Sequence, residues 1–364
     1  MAPEQKNKTK SKTYSYKDQQ RMLALEKADE LTDGMPRFMR EFEQSCKRNN
    51  EARTVLGYMQ DLDIFFTYLE TELGTPRTEV TLEYLENLSP IAINNYLNWL
   101  SRYRKDDVIR ENGKSASNRK MIALHKLYDF LTRLEYIQKN PAAKVLLLNT
   151  KEERRSRDIV TLDGDEIGRL LLAASTGFGL TPEQERASRS MRLRDTAILT
   201  LMLHTGVRVS ECVGLDTGDV NFEKNTIRIV RKGHQKADYL IFDEAVREAL
   251  LEYLENERKE SETDPGALFI SRKGQRLTVR SVQRLTKRYA EAAAIYDKDV
   301  HCHTLRKSYG TRLFAVSDAK TVQARLGHTS PTTSLSYYID EDTEKIERFS
   351  KMDIYDSGND DSQM

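Results

Sequence analysis

The chain has 364 residues, in which 58 lysines and arginines face 57 aspartates and glutamates for a formal net charge of +1. This length suits two or three domains with sizeable cores, and the balanced total excludes a partner selected by overall charge alone. Three widely spaced cysteines (Cys46, Cys212, Cys302), no apolar signal-peptide core and no run of membrane-span length lead us to expect a soluble cytoplasmic protein with free thiols and no membrane partner.

Residues 1–33 are polar and lysine-rich and read as a disordered or weakly helical extension. Residues 34–148 read as a small helical domain. In "TVLGYMQDLDIFFTYLETEL", Leu56, Met59, Leu62, Phe66, Tyr68 and Leu69 share one broad face. In "SNRKMIALHKLYDFLTRLEYI", Met121, Leu124, Leu127, Tyr128, Leu131 and Leu134 do the same. No strand is expected here, and Asn140-Pro141 is expected to end the last helix. The arginine-rich "KEERRSRD" places a basic linker over 149–158.

From Ile159 the pattern is mixed. "DEIGRLLLAAS", "RLRDTAILTLMLHTG" and "EAVREALLEYLENERK" read as helices, and "NTIRIV" and "DYLIF" as strands flanking the basic "RKGHQKA". "ALFIS" reads as a short strand, and further helices run to about 348. The fold class is α+β, mostly helical: a helical N-terminal domain, then a domain of helices with a small antiparallel sheet over 159–349. Residues 350–364 form an acidic tail.

Phosphate-type chemistry recurs at four places in this second domain. Gly206 stops the apolar helix, so Arg208 and Glu211 stand at a sharp change of direction on a buried rod. Lys232, beside Gly233 at a strand end, has the reach to bind phosphate or donate a proton, although a hairpin lysine is ordinarily just solvated. His303 and Arg306 are spaced i, i+3 and share a helix face, where a guanidinium clamps phosphate oxygens and an imidazole moves a proton. His301 lacks that spacing. Finally, Gly327 ends a helix, His328 follows, and a Ser/Thr-rich segment leads to Tyr337 and Tyr338. No compact carboxylate cluster or His-Glu-x-x-His pattern is present, and His301, Cys302 and His303 lack a distant ligand pair, so no metal site is expected.

The order Arg208, Lys232, His303-x-x-Arg306, His328, Tyr337, with the boxes "HTGVRVSE", "HTLRKSYGTRL" and "LGHTSPTTSLSYY", resembles the tyrosine recombinase (phage integrase) family, Xer-like two-domain type. The resemblance covers roughly Ile159 to Phe349, and the upstream region is similar to the family's core-binding domain. It implies that Tyr337 attacks the scissile phosphate to give a 3′-phosphotyrosine and a 5′-hydroxyl, without metal or nucleotide cofactor. Arg208 and Arg306 then stabilise the pentavalent state, worth about 3–4 kcal/mol each. Lys232 protonates the leaving oxygen, His303 is the general base, His328 adds a hydrogen bond and Glu211 orients its surroundings. Counting nine residues beyond His328 selects Tyr337; some members use one more, which keeps Tyr338 open. Lys307 stands where many members carry histidine. The segment 175–191 lengthens the approach to the first box and reads as a surface loop or a regulatory element.

The implied partner is double-stranded DNA carrying recombination sites, bound by a homotetramer that works through a Holliday junction, with or without a paralogous recombinase or accessory factor. Candidate DNA contacts are Arg154, Arg155 and Arg157 in the linker; Ser117, Asn118, Arg119 and Lys120, expected to open a helix whose free amides favour phosphate; and Arg276, Arg280 and Arg284 in the basic 271–289 stretch. Two readings compete: a sequence-specific DNA-binding protein of the same fold without strand exchange, and a type IB topoisomerase, which uses similar chemistry to relax DNA without site choice.

Overall fold

Ser15 accepts a hydrogen bond from the Asp18 amide and so caps the first helix, α1 (Tyr16–Asp33). The computed structural model describes residues 15–150, 160–231, 237–259, 261 and 263–327. The chain falls into two compact units, Met1–Arg157 and Asp158–Met364.

In the first unit α1 is followed by α2 (Met39–Asn49), α3 (Ala52–Glu72), α4 (Leu82–Asn87), α5 (Pro90–Trp99), a hairpin of β1 (Arg102–Lys105) and β2 (Val108–Glu111), and α6 (Lys114–Arg133). The expected apolar faces form the core: Met59, Leu62, Phe66 and Leu69 of α3 meet Met121, Leu124, Leu127 and Tyr128 of α6, all fully buried. Three local expectations fail here. Residues 16–33 form a complete helix packed on α3, because Ala24, Ala28 and Thr32, four apart, bury a narrow stripe of small residues. The hairpin was not expected, since its turn is Asp106-Asp107, both at positive φ (52° and 58°), without the glycine that usually marks such a turn. And α6 ends at Arg133, ahead of Pro141. Glu135 takes the left-handed conformation (φ 60°). The Tyr136 amide reaches back to the Leu131 carbonyl at 2.9 Å and the Glu135 amide to Thr132 at 3.1 Å. This is a Schellman stop with glutamate in the glycine position.

In the second unit α7 (Gly164–Thr176), α8 (Pro182–Ser188), α9 (Arg192–Thr205) and α10 (Val209–Gly214) precede a three-stranded antiparallel sheet. Its strands, in the order β3–β4–β5, are β3 (Val220–Asn221), β4 (Thr226–Ile229) and β5 (Asp238–Ile241). Then come α11 (Glu244–Asn256), α12 (Val279–Ala292), α13 (Cys302–Val316) and α14 (Ala319–Leu326). Residues Ala197–Leu203 of α9 are buried on every face, and the helix packs on α7, α11 and α13, so it is the rod around which the unit is built. "ALFIS" makes only isolated bridges, Asp216 with Ala267 and Ile270 with Arg276, rather than a strand. Segment 175–191 is more ordered than a surface loop. Thr181 and Gln184 form a reciprocal capping box for α8, and Gly179 (φ 78°) lies so close to the Ala292 carbonyl that a Cβ would be 2.0 Å from its oxygen. Cys46, Cys212 and Cys302 are all free and buried. Among the described residues, no helix is long and apolar enough to cross a membrane.

A fully buried carboxylate fastens α9 to α12. Asp195 accepts from Arg194 (Nε 3.0 Å, Nη2 2.6 Å), from Arg288 (2.8 Å) and from the Tyr289 hydroxyl (3.0 Å). The Tyr289 phenol is pushed up to about 12 by burial and by that carboxylate, so it acts as a donor throughout the physiological range. Removing the charge strands two guanidinium groups. We therefore expect Asp195→Asn to lower the free energy of unfolding by about 3–5 kcal/mol, measured by urea denaturation, whereas the exposed Arg169→Ala on α7 should change it by less than about 0.5 kcal/mol.

Candidate active site

Gly206 follows the last residue of α9 at φ 63°, and its amide closes the helix on the Met202 carbonyl at 3.1 Å. A side chain there would be excluded twice. The backbone is left-handed, and a Cβ would stand 2.5 Å from Tyr309 Cδ1 and 2.8 Å from Leu326 Cδ2. The missing side chain therefore lets α13 and α14 close onto the end of α9.

Arg208 leaves this turn as the N-cap residue of α10, fixed by Glu211. The Glu211 carboxylate accepts from the Arg208 backbone amide at 2.9 Å and from Nη1 at 2.8 Å. The other terminal nitrogen, Nη2, donates to the Gly327 carbonyl at 3.0 Å. From α13, Arg306 is buried and donates through Nη1 to the Gly206 carbonyl and through Nη2 to the Leu326 carbonyl. Arg231, two residues beyond β4, is also buried; its Nη2 donates to the Arg325 carbonyl at 2.7 Å and its Nε meets Asp238 at 2.6 Å. Three guanidinium groups thus take three successive carbonyls, those of residues 325, 326 and 327, at the C-terminus of α14. That is the end of a helix where main-chain oxygens lack intrahelical partners and carry partial negative charge.

His303 stands one turn before Arg306 with its ring at the surface. The protein mass around it withdraws hydration, and the positive charges of Lys307, Arg306, His301 and Arg208 add repulsion, so its pKa lies below the ordinary imidazole value. Arg208, Arg306 and His303 are thereby brought together, with Glu211 behind Arg208. His301 instead caps α13 and bonds Thr304. Lys232, His328, Tyr337 and Tyr338 lie outside the described residues; Arg231 and Gly327 are the described residues immediately before the first two.

The candidate DNA contacts divide differently. α6 opens at Lys114, so residues 117–120 are already in its second turn rather than at its free amides. Ser117 and Lys120 are buried, and Lys120 donates to Asn112. Asn118 exchanges two 2.8 Å bonds with the backbone of Leu148. Only Arg119 is exposed, and it pairs with buried Asp61. Arg276 is turned inward: its guanidinium is held by Asp264 and Asp216 and donates to the Val213 and Leu215 carbonyls, which occupies it as an internal brace and corrects its reading as a DNA contact. Arg280 and Arg284 are exposed on α12, on one stripe with Gln283 and Lys287. Arg154, Arg155 and Arg157 lie outside the described residues.

Arg231 is the residue that sequence reading passed over. A signal for it exists. Inward positions alternate through Ile227 and Ile229, and Arg231 continues the same parity, which marks a cation aimed at the interior.

Two glycines with nearly equal φ isolate the role of close packing. Gly206→Ala should cost at least about 1 kcal/mol more than Gly74→Ala. Both place alanine in the left-handed region, but the space around Gly74 (φ 66°) is open. Thermal unfolding of the two variants measures the difference.

With this geometry in view, the comparisons with known proteins are specific. Residues 160–345 match the phage integrase family. Over 316 residues the chain is 31% identical to the tyrosine recombinase XerC of Syntrophus aciditrophicus (strain SB), covering 85% of this chain and 92% of that protein. It is 29% identical over 317 residues to the tyrosine recombinase XerD of Bifidobacterium longum (strain NCC 2705), covering 84% and 94%. In fold it is similar to the XerH site-specific recombinase, solved on palindromic difH substrate after cleavage, with a TM-score of 0.64 at 20% identity over 94% of this chain and 91% of that one. The chain belongs to the phage integrase family and is a tyrosine recombinase of the Xer-like type, an enzyme of site-specific recombination.

Proposed function

We propose that this protein binds recombination sites on double-stranded DNA as a homotetramer and exchanges strands through a Holliday junction, cutting and rejoining each strand through a phosphotyrosine at Tyr337. The observation that carries this reading is the convergence of Arg208 and Arg306 on one helix end, with His303 in their field. Two preorganised guanidinium groups suit the non-bridging oxygens of a phosphodiester as it becomes pentavalent. The Tyr337 oxygen attacks phosphorus and forms the 3′-phosphotyrosyl bond while the bond to the 5′-oxygen breaks. His303 takes the phenolic proton and Lys232 gives one to the departing oxygen. The phosphotyrosine keeps the energy of the ester, so the 5′-hydroxyl of a partner strand rejoins it without a nucleotide cofactor. His328 adds a donor to the same phosphate. Outside the reacting atoms, Arg280, Gln283, Arg284 and Lys287 form a polar stripe along α12 that suits the DNA backbone.

Covalent trapping tests the reading. Genomic fragments nicked so that the cleaved end escapes should accumulate adducts that withstand denaturant. Tyr337→Phe should abolish them, Tyr338→Phe should not, and Arg208→Ala or Arg306→Ala should slow them about 10²–10³-fold. Tight specific binding with no adduct anywhere would leave a DNA-binding protein without strand exchange.

The base assignment has a pH consequence. A general base works in its neutral form, and the lowered His303 pKa populates that form at lower pH than an ordinary imidazole at about 6.5. The cleavage rate should therefore rise with pH and level off below that value, failing only as pH falls further. In His303→Gln this limb should vanish, with the rate down about 10²–10⁴-fold, read from single-turnover pH profiles.

For the DNA grip, Arg280→Ala and Arg284→Ala should each reduce the slope of log affinity against log salt by about 1, with little change in sequence preference. Titrations at several salt concentrations report the slope.

A further inference from the structure

Arg231 does something that neither an ordinary core residue nor a solvated hairpin cation does. Its side chain is buried, yet its ion-pair partner Asp238 is half exposed and, among the described residues, its Nη1 has no hydrogen-bond partner. Burying a guanidinium on those terms is costly, and an apolar side chain of similar size would fill the space with less penalty. What the arginine supplies is reach. It starts beside β4, pairs across the hairpin with the first residue of β5, and donates to a carbonyl 94 residues further along the chain. It also lies flat against Gly327: a Cβ there would stand 1.5 Å from Nη1 and 2.4 Å from Cζ. One side chain therefore joins the backbone just before Lys232 to the backbone just before His328.

We propose that Arg231 is a positioning residue for strand cleavage: it fastens the chain immediately before Lys232, the proton donor of the reading above, to the C-terminal turn of α14. This inference rests on the recombinase reading above. A lysine carries a flexible four-carbon stem, and its usefulness as an acid depends on how closely its base is held. Arg208 and Arg306 share the α14 terminus with Arg231 but also have attachments of their own at Glu211 and Gly206, so loss of the anchor falls first on the proton donor.

The test uses the full chain and the nicked duplex recovered by trapping with wild type, in two forms. One has the natural 5′-oxygen at the scissile position; the other has a 5′-bridging sulfur. The sulfur leaves as a thiolate (thiol pKa about 8.5, against about 15.7 for water) and needs no proton from the enzyme. Arg231→Met should slow adduct formation on the oxygen duplex about 30–100-fold, leave the DNA Kd within about threefold, and regain nearly the wild-type rate on the sulfur duplex. The double variant Arg231→Met/Lys232→Ala should be no slower than Lys232→Ala alone, because both changes remove the same function. Equal loss on both duplexes, additive loss in the double variant, or no loss would each overturn the proposal. Asp238→Asn, which removes the partner and keeps the arginine, should show a smaller loss with the same sulfur rescue, and it decides the matter if Arg231→Met does not melt cooperatively. Failure of wild type to trap any duplex in the first place would instead sink the recombinase reading.

Discussion

The last turn of α14 presents carbonyl oxygens with no partners inside the helix, and three guanidinium groups from three different elements meet them. Arg208 comes from the turn after α9, Arg231 from the sheet and Arg306 from α13. Much of the architecture of this unit serves that meeting. Gly206 has no side chain so that α13 and α14 can approach, Glu211 holds Arg208 by two bonds, and Asp195 fastens α9 to α12 from inside. A buried cation demands satisfied donors, and oriented main-chain dipoles supply them without adding a competing full charge. The non-bridging oxygens of a phosphodiester share a whole negative charge, where a carbonyl oxygen bears only a small fraction of one. The same donors are therefore better matched to phosphate than to their present partners.

The electrostatics of the site follow from this crowding. Arg208, Arg306, Lys307 and His301 all act on His303, and withdrawal of hydration acts in the same direction. A further positive charge is disfavoured there, which favours the neutral, proton-accepting form of the ring. Glu211 is the carboxylate that touches Arg208, and it lies on the side away from the Gly327 contact.

The parts of the site that were legible in the sequence are those with a short-range physical marker. A glycine after an apolar run announced the turn at Gly206, and the i, i+3 spacing placed His303 and Arg306 on one face. Illegible parts had their marker replaced or their cause far away. The stop of α6 uses Glu135 where glycine is usual, and the 102–111 hairpin turns on two aspartates. The α1 helix is secured by Ala24, Ala28 and Thr32, which look indifferent until α3 lies against them. Arg276 reads as one more cation in a basic stretch. Its fate is decided by Asp216, 60 positions earlier, and by Asp264. Arg231 betrays its inward direction by parity with Ile227 and Ile229, but not its carbonyl partner, which is 94 positions away.

Main-chain acceptors give the arginine cluster an unusual pattern of substitution tolerance. A carbonyl is present whatever residue bears it, so the side chains of Arg325 and Leu326 are free to drift as far as their own packing permits without altering the acceptors. The arginines have no such latitude, because no other side chain combines their length with a planar fork of donors. Gly327 is the exception on the helix side, constrained by what it lacks: its φ of 59° and the guanidinium lying against its Cα leave no room for a side chain. Divergence here should therefore be one-sided: the donors are fixed, while the acceptor at residue 325 is indifferent to the side chain that bears it, and residues 326 and 327 are held only by packing.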